Sequence, residues 1–596
     1  MDRYLPVGNE WISLPDLDER TAAIRSVTFL TMQHKGMVAL RGIRDLPFLQ
    51  PYLEDAGGSA LQPESMCWER ISDWLPMLHA KTSSGDFSLV VPPPLDERGF
   101  AIRMSLRSSS AENIRWGIRG TWGGAWHCVN EEKELGGSMH IYQSGWTGGP
   151  VLDFRSGYPA FAFAPMTVPE CEAAYTQRED GIRFSLSRQD SFSAEEERSL
   201  TFYFGLGFEE VAAATSAKHM LRKSWDWELS RTVRWLDARR RHFSSERLSS
   251  LYNTNLFFCI FFSTGKTMDT EELICATSRS DRYYVSAAYW DRDTLLWAFP
   301  TILSADPALA KSILVYVFNR QRHRIGHHSR YIDGTLLEPG FELDELAAPV
   351  IALERYVDKT GDRALLSERY IQDTVREILE ALENEYCEEL SLYGTFLQPT
   401  DDEIVFPYLT YDNVLVWRMF LAISRLFPQK YEALAASAET LRDAILRHCR
   451  KFAADGSPFY AWSIDSDGQY DVYDEPPGSL QLLPYYGFCS MDDETWRNTA
   501  AMIRSPEYKF SFAKERISEI GCPHAPYPWV LSLCNSLLSG HAAQAFRELE
   551  NMPMDNGIAC ESVDPSTGEC VTGEAFATCA GFLCHSILTA LGEAEQ

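Results

Sequence analysis

The chain has 596 residues, with 84 Asp and Glu against 55 Lys and Arg, a formal charge of −29. That balance excludes a broad basic face, and with it nucleic-acid binding, which depends on cationic neutralisation of the phosphate backbone. A hydrophobic fraction of 45% with 23% charged residues excludes wholesale disorder, and the length suggests two to four domains.

Residues 1–20 are polar and acidic, without the charged stretch and apolar run of a secretory signal. No apolar run reaches the roughly 18 residues that cross a membrane; the strongest, 256–262, is far too short. The 14 cysteines form no CxxC pair, and no Asn-x-Ser/Thr sequon occurs. The expectation is a reduced, cytoplasmic protein, monomer or homodimer, with no membrane or nucleic-acid partner and an acidic surface that serves solubility.

Residues 1–212 read as an antiparallel β-sandwich. Short alternating or aromatic runs such as Phe87-Ser-Leu-Val-Val, Ile102-Arg-Met-Ser-Leu-Arg and Leu200-Thr-Phe-Tyr-Phe-Gly-Leu are separated by Gly, Pro, Ser and Asp clusters. Trp116, Trp122, Trp126 and Trp146 are expected to pack the sandwich against a second domain. Residues 213–245 read as one or two linker helices. From 246 to 596 apolar residues recur at helical spacing, as in Leu346, Val350, Leu353 and Val357. Helices are expected over 246–262, 291–304, 307–318, 342–359, 364–385, 411–426, 430–452, 493–503, 526–538, 541–550 and 575–591, with no strand alternation. No fixed repeat is visible, so the pattern is a helical toroid rather than a repeat array.

The loops between these helices are long and rich in acids and aromatics, the kind of loop on which function tends to sit. They are Tyr289-Trp290-Asp291-Arg292-Asp293, Glu338-Pro-Gly-Phe-Glu342-Leu-Asp344-Glu345, Gln398-Pro-Thr-Asp401-Asp402-Glu403 ahead of Tyr411, Tyr473-Asp474-Glu475, and Ala559-Cys560-Glu561-Ser562. One fixed cation among many carboxylates and rings suits a sugar. An Asp accepts from adjacent hydroxyls, an Arg donates in a planar fork, and aromatic faces cover the C–H surface. Glycoside hydrolysis needs two carboxyls in different protonation states, and the crowd of Glu342, Asp344 and Glu345 favours protonating one member. Acids at helix N-termini also complement the helix dipole, but five such loops together point to a pocket.

The helical half resembles the (α/α)6-barrel glycoside hydrolases, and most closely family 125, the metal-independent exo-α-mannosidases. The family's W-x-R-D-S loop is similar to Trp290-Asp-Arg292-Asp293-Thr294, and its E-x-D-S-L-C-Y-P start to Glu342-Leu-Asp344-Glu-Leu-Ala-Ala-Pro349. Its R-P-S-D-D segment resembles Gln398-Pro-Thr-Asp401-Asp402, and its D-D-A-N-V segment resembles Asp474-Glu475-Pro-Pro-Gly-Ser479. Its G-x-P-H…W-P stretch resembles Gly521-Cys-Pro523-His524…Trp529, and its H-E-S-F-D-P resembles Cys560-Glu561-Ser562-Val563-Asp564-Pro565.

The resemblance implies an inverting exo-α-glycosidase acting on a small oligosaccharide or glycoside, α-mannoside favoured. Asp344 falls on the general acid and Glu561 on the general base. Trp290, Arg292, Asp293, Glu342, Glu345, Asp401, Asp402, Tyr411, Asp474, Glu475, His524 and Trp529 fall around the bound sugar. No cofactor and no metal are implied; the WDRD aspartates lack EF-hand spacing, and His323, His327 and His328 read as rim or surface histidines.

The sequence departs from the family at Cys560, where the family has His, at Trp462-Ser463-Ile464-Asp465-Ser466, and in lacking the Asn after the paired acids. A sandwich ahead of such a barrel also resembles bacterial glucoamylase-type and phosphorylase-type enzymes. An α-glucosidase, an inverting phosphorylase and an inactive carbohydrate-binding protein therefore stand beside the α-mannosidase reading.

Overall fold

The computed structural model describes residues 3–157 and 161–592. The chain forms two compact units. One comprises Met1–Phe243 together with Thr264–Ile274 and Ser278–Ala287; the other comprises Ser244–Ser263, Cys275–Thr277 and Ala288–Gln596.

The first unit is a β-sandwich of antiparallel strands. Its largest sheet has eight strands, running from Ser138–Gln143 at one edge to Ser65–Ile71 at the other, with Glu197–Gly207 paired to Gly99–Ser108 at the centre. Strand Glu112–Trp122 shows how alternation builds the core. Ile114, Trp116, Ile118 and Trp122 are buried, while Arg115 and Arg119 face solvent. Trp116 and Trp122 are therefore core residues of the sandwich itself. Trp116 packs edge-on to Phe192 and donates Nε1–H to Asp190 Oδ2 at 2.9 Å; Trp122 packs against Phe48 and Phe154. Trp126 lies under the Arg41 guanidinium, and Trp146 is exposed.

Residues 213–245 were expected to be helical, and two helices are found, Glu210–Lys223 and Trp225–Asp237, broken at Ser224 with φ +73°. The first lies close on the strands because Gly205 and Gly207 carry no side chain: a Cβ on Gly205 would sit 2.2 Å from the Ala213 carbonyl oxygen.

The second unit is the helical barrel. Helices buried around nearly their whole surface alternate with amphipathic ones, as an inner and an outer ring require. Leu343–Thr360, Thr410–Leu426, Val530–Leu538 and Ala577–Ala590 are of the first kind; Pro307–Tyr316, Arg369–Glu383, Leu434–His448, Glu494–Ile503 and Ala542–Leu549 are of the second. Glu246–Ser263 completes the long helices ahead of Arg292, and two 3₁₀ turns, Pro476–Gly478 and Leu480–Leu482, hold the remaining inner place.

The structure departs from the sequence expectation in three places. The stretch expected as one helix over 291–304 begins as a π-helix, Arg292–Ala298, before Phe299–Ala305 becomes α. The helix expected from 526 starts at Val530, because Pro526 and Pro528 hold the residues before them extended. The loops also contain two-stranded ribbons, among them His327–Arg330 with Leu336–Phe341 and Ser562–Val563 with Cys570–Thr572, too short to leave an alternating pattern. Among the described residues no helix is long and apolar enough to cross a membrane.

Candidate active site

The loops at the N-terminal ends of the inner helices converge. At the start of the π-helix the amides of Asp291 and Arg292 have no intrahelical acceptor, and Glu345 of the neighbouring helix accepts both, at 2.5 and 3.1 Å. This fixes the backbone that carries Arg292. Its guanidinium, 2% exposed, donates from Nη1 to Glu342 Oε2 (2.8 Å) and Asp344 Oδ2 (2.9 Å), and from Nη2 to Asp401 Oδ1 (2.5 Å). The other oxygen of Asp344 accepts the Glu345 amide at 2.8 Å. Asp291 is paired with the buried Arg330, and Asp293 accepts from the Thr578 hydroxyl at 2.7 Å.

His328 differs from its rim or surface reading. It is buried, with Nδ1 2.6 Å from Glu342 and Nε2 3.3 Å from Glu338. Burial opposes its charge, but those two carboxylates, with Asp401 beside them, push its pKa up to about 11. Trp290 stands edge-on to its ring at 5.5 Å.

A tight turn carries the next pair. The Asp401 amide donates to the Gln398 carbonyl at 2.8 Å, and the Gln398 amide donates back to Asp402 at 2.9 Å. Asp401 sits at φ +69°, a left-handed conformation that Asp tolerates better than most residues and that recurs at functional sites. The turn sends Asp401 to Arg292 and Asp402 to the other side, where Asp402 Oδ2 lies 3.3 Å from His524 Nδ1. His524 Nε2 lies 3.7 Å from Glu561 Oε1, and Trp529 tilts against the His524 ring at 6.1 Å.

Asp474 and Glu475 turn their carboxylates inward. Asp474 accepts from Ser479 Oγ and the Leu480 amide, both at 2.7 Å; Glu475 accepts from the Thr400 amide and hydroxyl, both at 2.9 Å, and so clamps the turn that presents Asp401. Tyr411 is buried, with its hydroxyl 3.3 Å from that of Tyr486. Burial pushes Asp293 up to about 7 and Asp474 up to about 8, and drives Glu345 and Glu475 well above the carboxylate range.

Two residues escaped the sequence reading. Asp412 is fully buried, and neither carboxylate oxygen has a hydrogen-bond partner; burial, with Asp344 and Glu342 nearby, pushes its pKa far up. Gly573 donates no side chain where one would collide: at φ +62°, its Cβ would lie 2.5 Å from the Glu561 Cβ. The Gly573 carbonyl accepts the Glu561 amide at 3.1 Å, and the Glu561 carbonyl accepts the Val530 amide at 3.0 Å.

Two carboxylate-rich sets have metal-like spacing, His328 with Glu342 and Asp401, and Glu342 with Asp344 and Glu345. The Arg292 guanidinium binds Glu342, Asp344 and Asp401, so a fixed cation already stands where a metal would draw them together. Beside Asp402 and His524 an open cleft of about 770 Å³ runs past Tyr473, Tyr508 and Phe510.

The stretch that holds Asp401, Asp402, His524 and Glu561 decides the family resemblance. Residues 384–588 match the metal-independent alpha-mannosidase family, GH125. The GH125 match ends short of Arg292 and Asp344, which lie before it. A Streptococcus pneumoniae metal-independent alpha mannosidase, solved with alpha-1,6-mannobiose, is 19% identical with a TM-score of 0.52; the alignment covers 58% of this chain and 94% of that one. A bacterial glucoamylase complexed with acarbose is 11% identical with a TM-score of 0.65, over 99% of this chain and 95% of that one. A protein described as a kojibiose phosphorylase, from the human microbiome, is 10% identical with a TM-score of 0.64, over 98% and 86%. At these identities the likeness is one of fold, a β-sandwich followed by an (α/α)6 barrel. No curated protein matches the chain.

Proposed function

We propose that the protein is an inverting, exo-acting α-glycoside hydrolase that removes a terminal α-linked sugar, an α-mannoside first, from a small oligosaccharide or glycoside. Glu561 activates water as general base, and Asp402 donates the proton to the leaving oxygen. The observation that carries this reading is the pair Asp402 and Glu561 flanking His524 beside the cleft. Their contacts of 3.3 and 3.7 Å to the two ring nitrogens hold the carboxylates no more than about 9 Å apart, a limit compatible with the roughly 6.5–9.5 Å that leaves room for an attacking water.

Asp344 is less suited to give a proton away. It is 1% exposed, with one oxygen on Arg292 and the other on a backbone amide. It orders Arg292, which in turn aims the half-exposed Asp401 at the sugar hydroxyls. Charge neutralisation here comes from Arg292 and His328, so hydrolysis proceeds without a metal. The GH125 match favours mannose.

The test is a panel of aryl α-glycosides and α-linked disaccharides with EDTA present and phosphate absent, the first-released anomer read by NMR. Release of the β-anomer from one α-glycoside is expected. A rate that requires phosphate moves the chemistry to phosphorolysis, and no release from any member overturns the hydrolase reading. Within that assay Gly573→Ala should lower kcat by about ten- to a hundredfold with KM little changed, because the new methyl displaces the Glu561 side chain by a fraction of an ångström. Unchanged kcat in a folded Gly573→Ala protein would remove Glu561 from the chemistry.

A further inference from the structure

The cleft beside the acid–base pair differs in character from the polar pocket around Arg292. Its volume, about 770 Å³, far exceeds the space of one sugar ring, and Asp402 and His524 are among its lining residues, so with Asp402 as proton donor whatever leaves the terminal sugar lies within it. Three rings form its wall. The Tyr473 hydroxyl donates to Glu475 at 3.1 Å, and the Tyr508 hydroxyl both donates to the Asp474 carbonyl (2.8 Å) and accepts the Asp474 amide (2.9 Å). Both hydroxyls are thus spent on the loop behind, and the rings, packed edge-to-face with Phe510 at 5.9 and 6.0 Å, give the cleft hydrocarbon. Val405, 70% exposed, and Val472, 44% exposed, line the same cleft, two aliphatic side chains left in water. The charges at the rim are mostly negative, Glu403, Asp471 and Glu507 against Lys509.

We infer that this cleft is an aglycone site for an apolar, uncharged or cationic group, an aryl or alkyl glycoside rather than a longer sugar chain or a phosphorylated one. The inference rests on the hydrolase reading for the position of the scissile bond. Along the valines and the rings whose hydroxyls are engaged, a sugar gains only through its C–H faces and must turn its hydroxyls to Gln398, Ser505 and the charged rim. An anionic aglycone would meet the acidic rim, where like charges repel. A hydrocarbon chain gains with each methylene it buries against Val405, Val472 and the three rings.

Binding is read separately from turnover. Methyl and hexyl α-glycosides of mannose and of glucose, and the matching α-linked disaccharides, are titrated calorimetrically into Glu561→Gln, and their hydrolysis is followed in the unmodified protein. The two alkyl leaving groups differ little in chemistry, so their ratio reports the cleft. The hexyl glycoside is expected to bind at least about tenfold more tightly than the methyl glycoside, with the gain abolished in the Val405→Asn/Val472→Asn double variant. Equal affinity for hexyl and methyl, no binding of either hexyl glycoside, or tighter binding of a disaccharide than of its hexyl counterpart overturns the assignment. Hexyl preference without hydrolysis of any glycoside sinks the hydrolase reading and keeps the apolar cleft; hydrolysis without hexyl preference does the reverse.

Discussion

Glu561→Gln should remove hydrolysis by about 10²–10⁴-fold or more while leaving the fold intact, the range over which a positioned general base contributes. The amide is nearly isosteric, and the backbone contacts of Glu561 to Gly573 and Val530 do not involve its carboxylate. Asp402→Asn should be comparably slow on disaccharides, whose leaving oxygen needs a proton, yet recover most of its rate on 2,4-dinitrophenyl glycosides, which leave without one. Asp344→Asn should show no such recovery, because it loosens Arg292 and harms every substrate alike. Steady-state kinetics of the three variants on both substrate types separates these roles. If Asp344→Asn is rescued by the activated leaving group and Asp402→Asn is not, the proton donor is Asp344, the position the family resemblance implied. A Glu561→Gln protein with near-normal kcat would sink the base assignment altogether.

Much of this site lies open in the sequence because the chemistry is concentrated where helices begin. Arg292 and Asp344 lie in the first turns of helices, Glu342 just ahead of one, and Asp401 and Glu561 in loops, and acids stand out there. The sandwich is equally legible in Glu112–Trp122, where residues alternate between core and solvent. What failed to show depends on specific side-chain contacts. His328 sits in the basic run Arg322-His-Arg-Ile-Gly-His-His, and only a hairpin with irregular register brings it back to Glu342. Asp474 and Glu475 have the composition of sugar ligands, but Ser479, Leu480 and Thr400 claim their oxygens, and such contacts leave no periodic trace. The π-helix at Arg292 is a matter of hydrogen-bond geometry, invisible to hydrophobic spacing. Nor does composition mark the return of Thr264–Ile274 to the sandwich unit, where the Met268 amide bonds the Leu30 carbonyl at 2.8 Å.

Arg292→Met should destabilise the barrel by about 3–5 kcal/mol at pH 7, the usual result of stripping one partner from a buried ion cluster. Glu342, Asp344 and Asp401 would then face one another without the cation that each now contacts. Arg292→Lys should recover only part of the loss, since an ammonium cannot fork to three carboxylates on two sides. The sign of the pH dependence follows from the shifted groups. Asp293 is raised from 3.8 to about 7 and Asp474 from 3.8 to about 8, so between those limits the native state holds protons that the unfolded chain has lost, and stability falls as pH rises. His328, raised from 6.5 to about 11, acts in the same direction: its contribution is complete below 6.5 and is lost on approaching 11. Urea titrations at pH 5, 7 and 8.5 should therefore find the unmodified protein most stable at pH 5. The Arg292→Met deficit should shrink there as well, because burial raises the pKa of Glu342, which needs the guanidinium less as it gains a proton. A variant within about 1 kcal/mol of the parent at pH 7 would mean that His328 alone balances the cluster, and Arg292 would lose its place as the organising cation of the site.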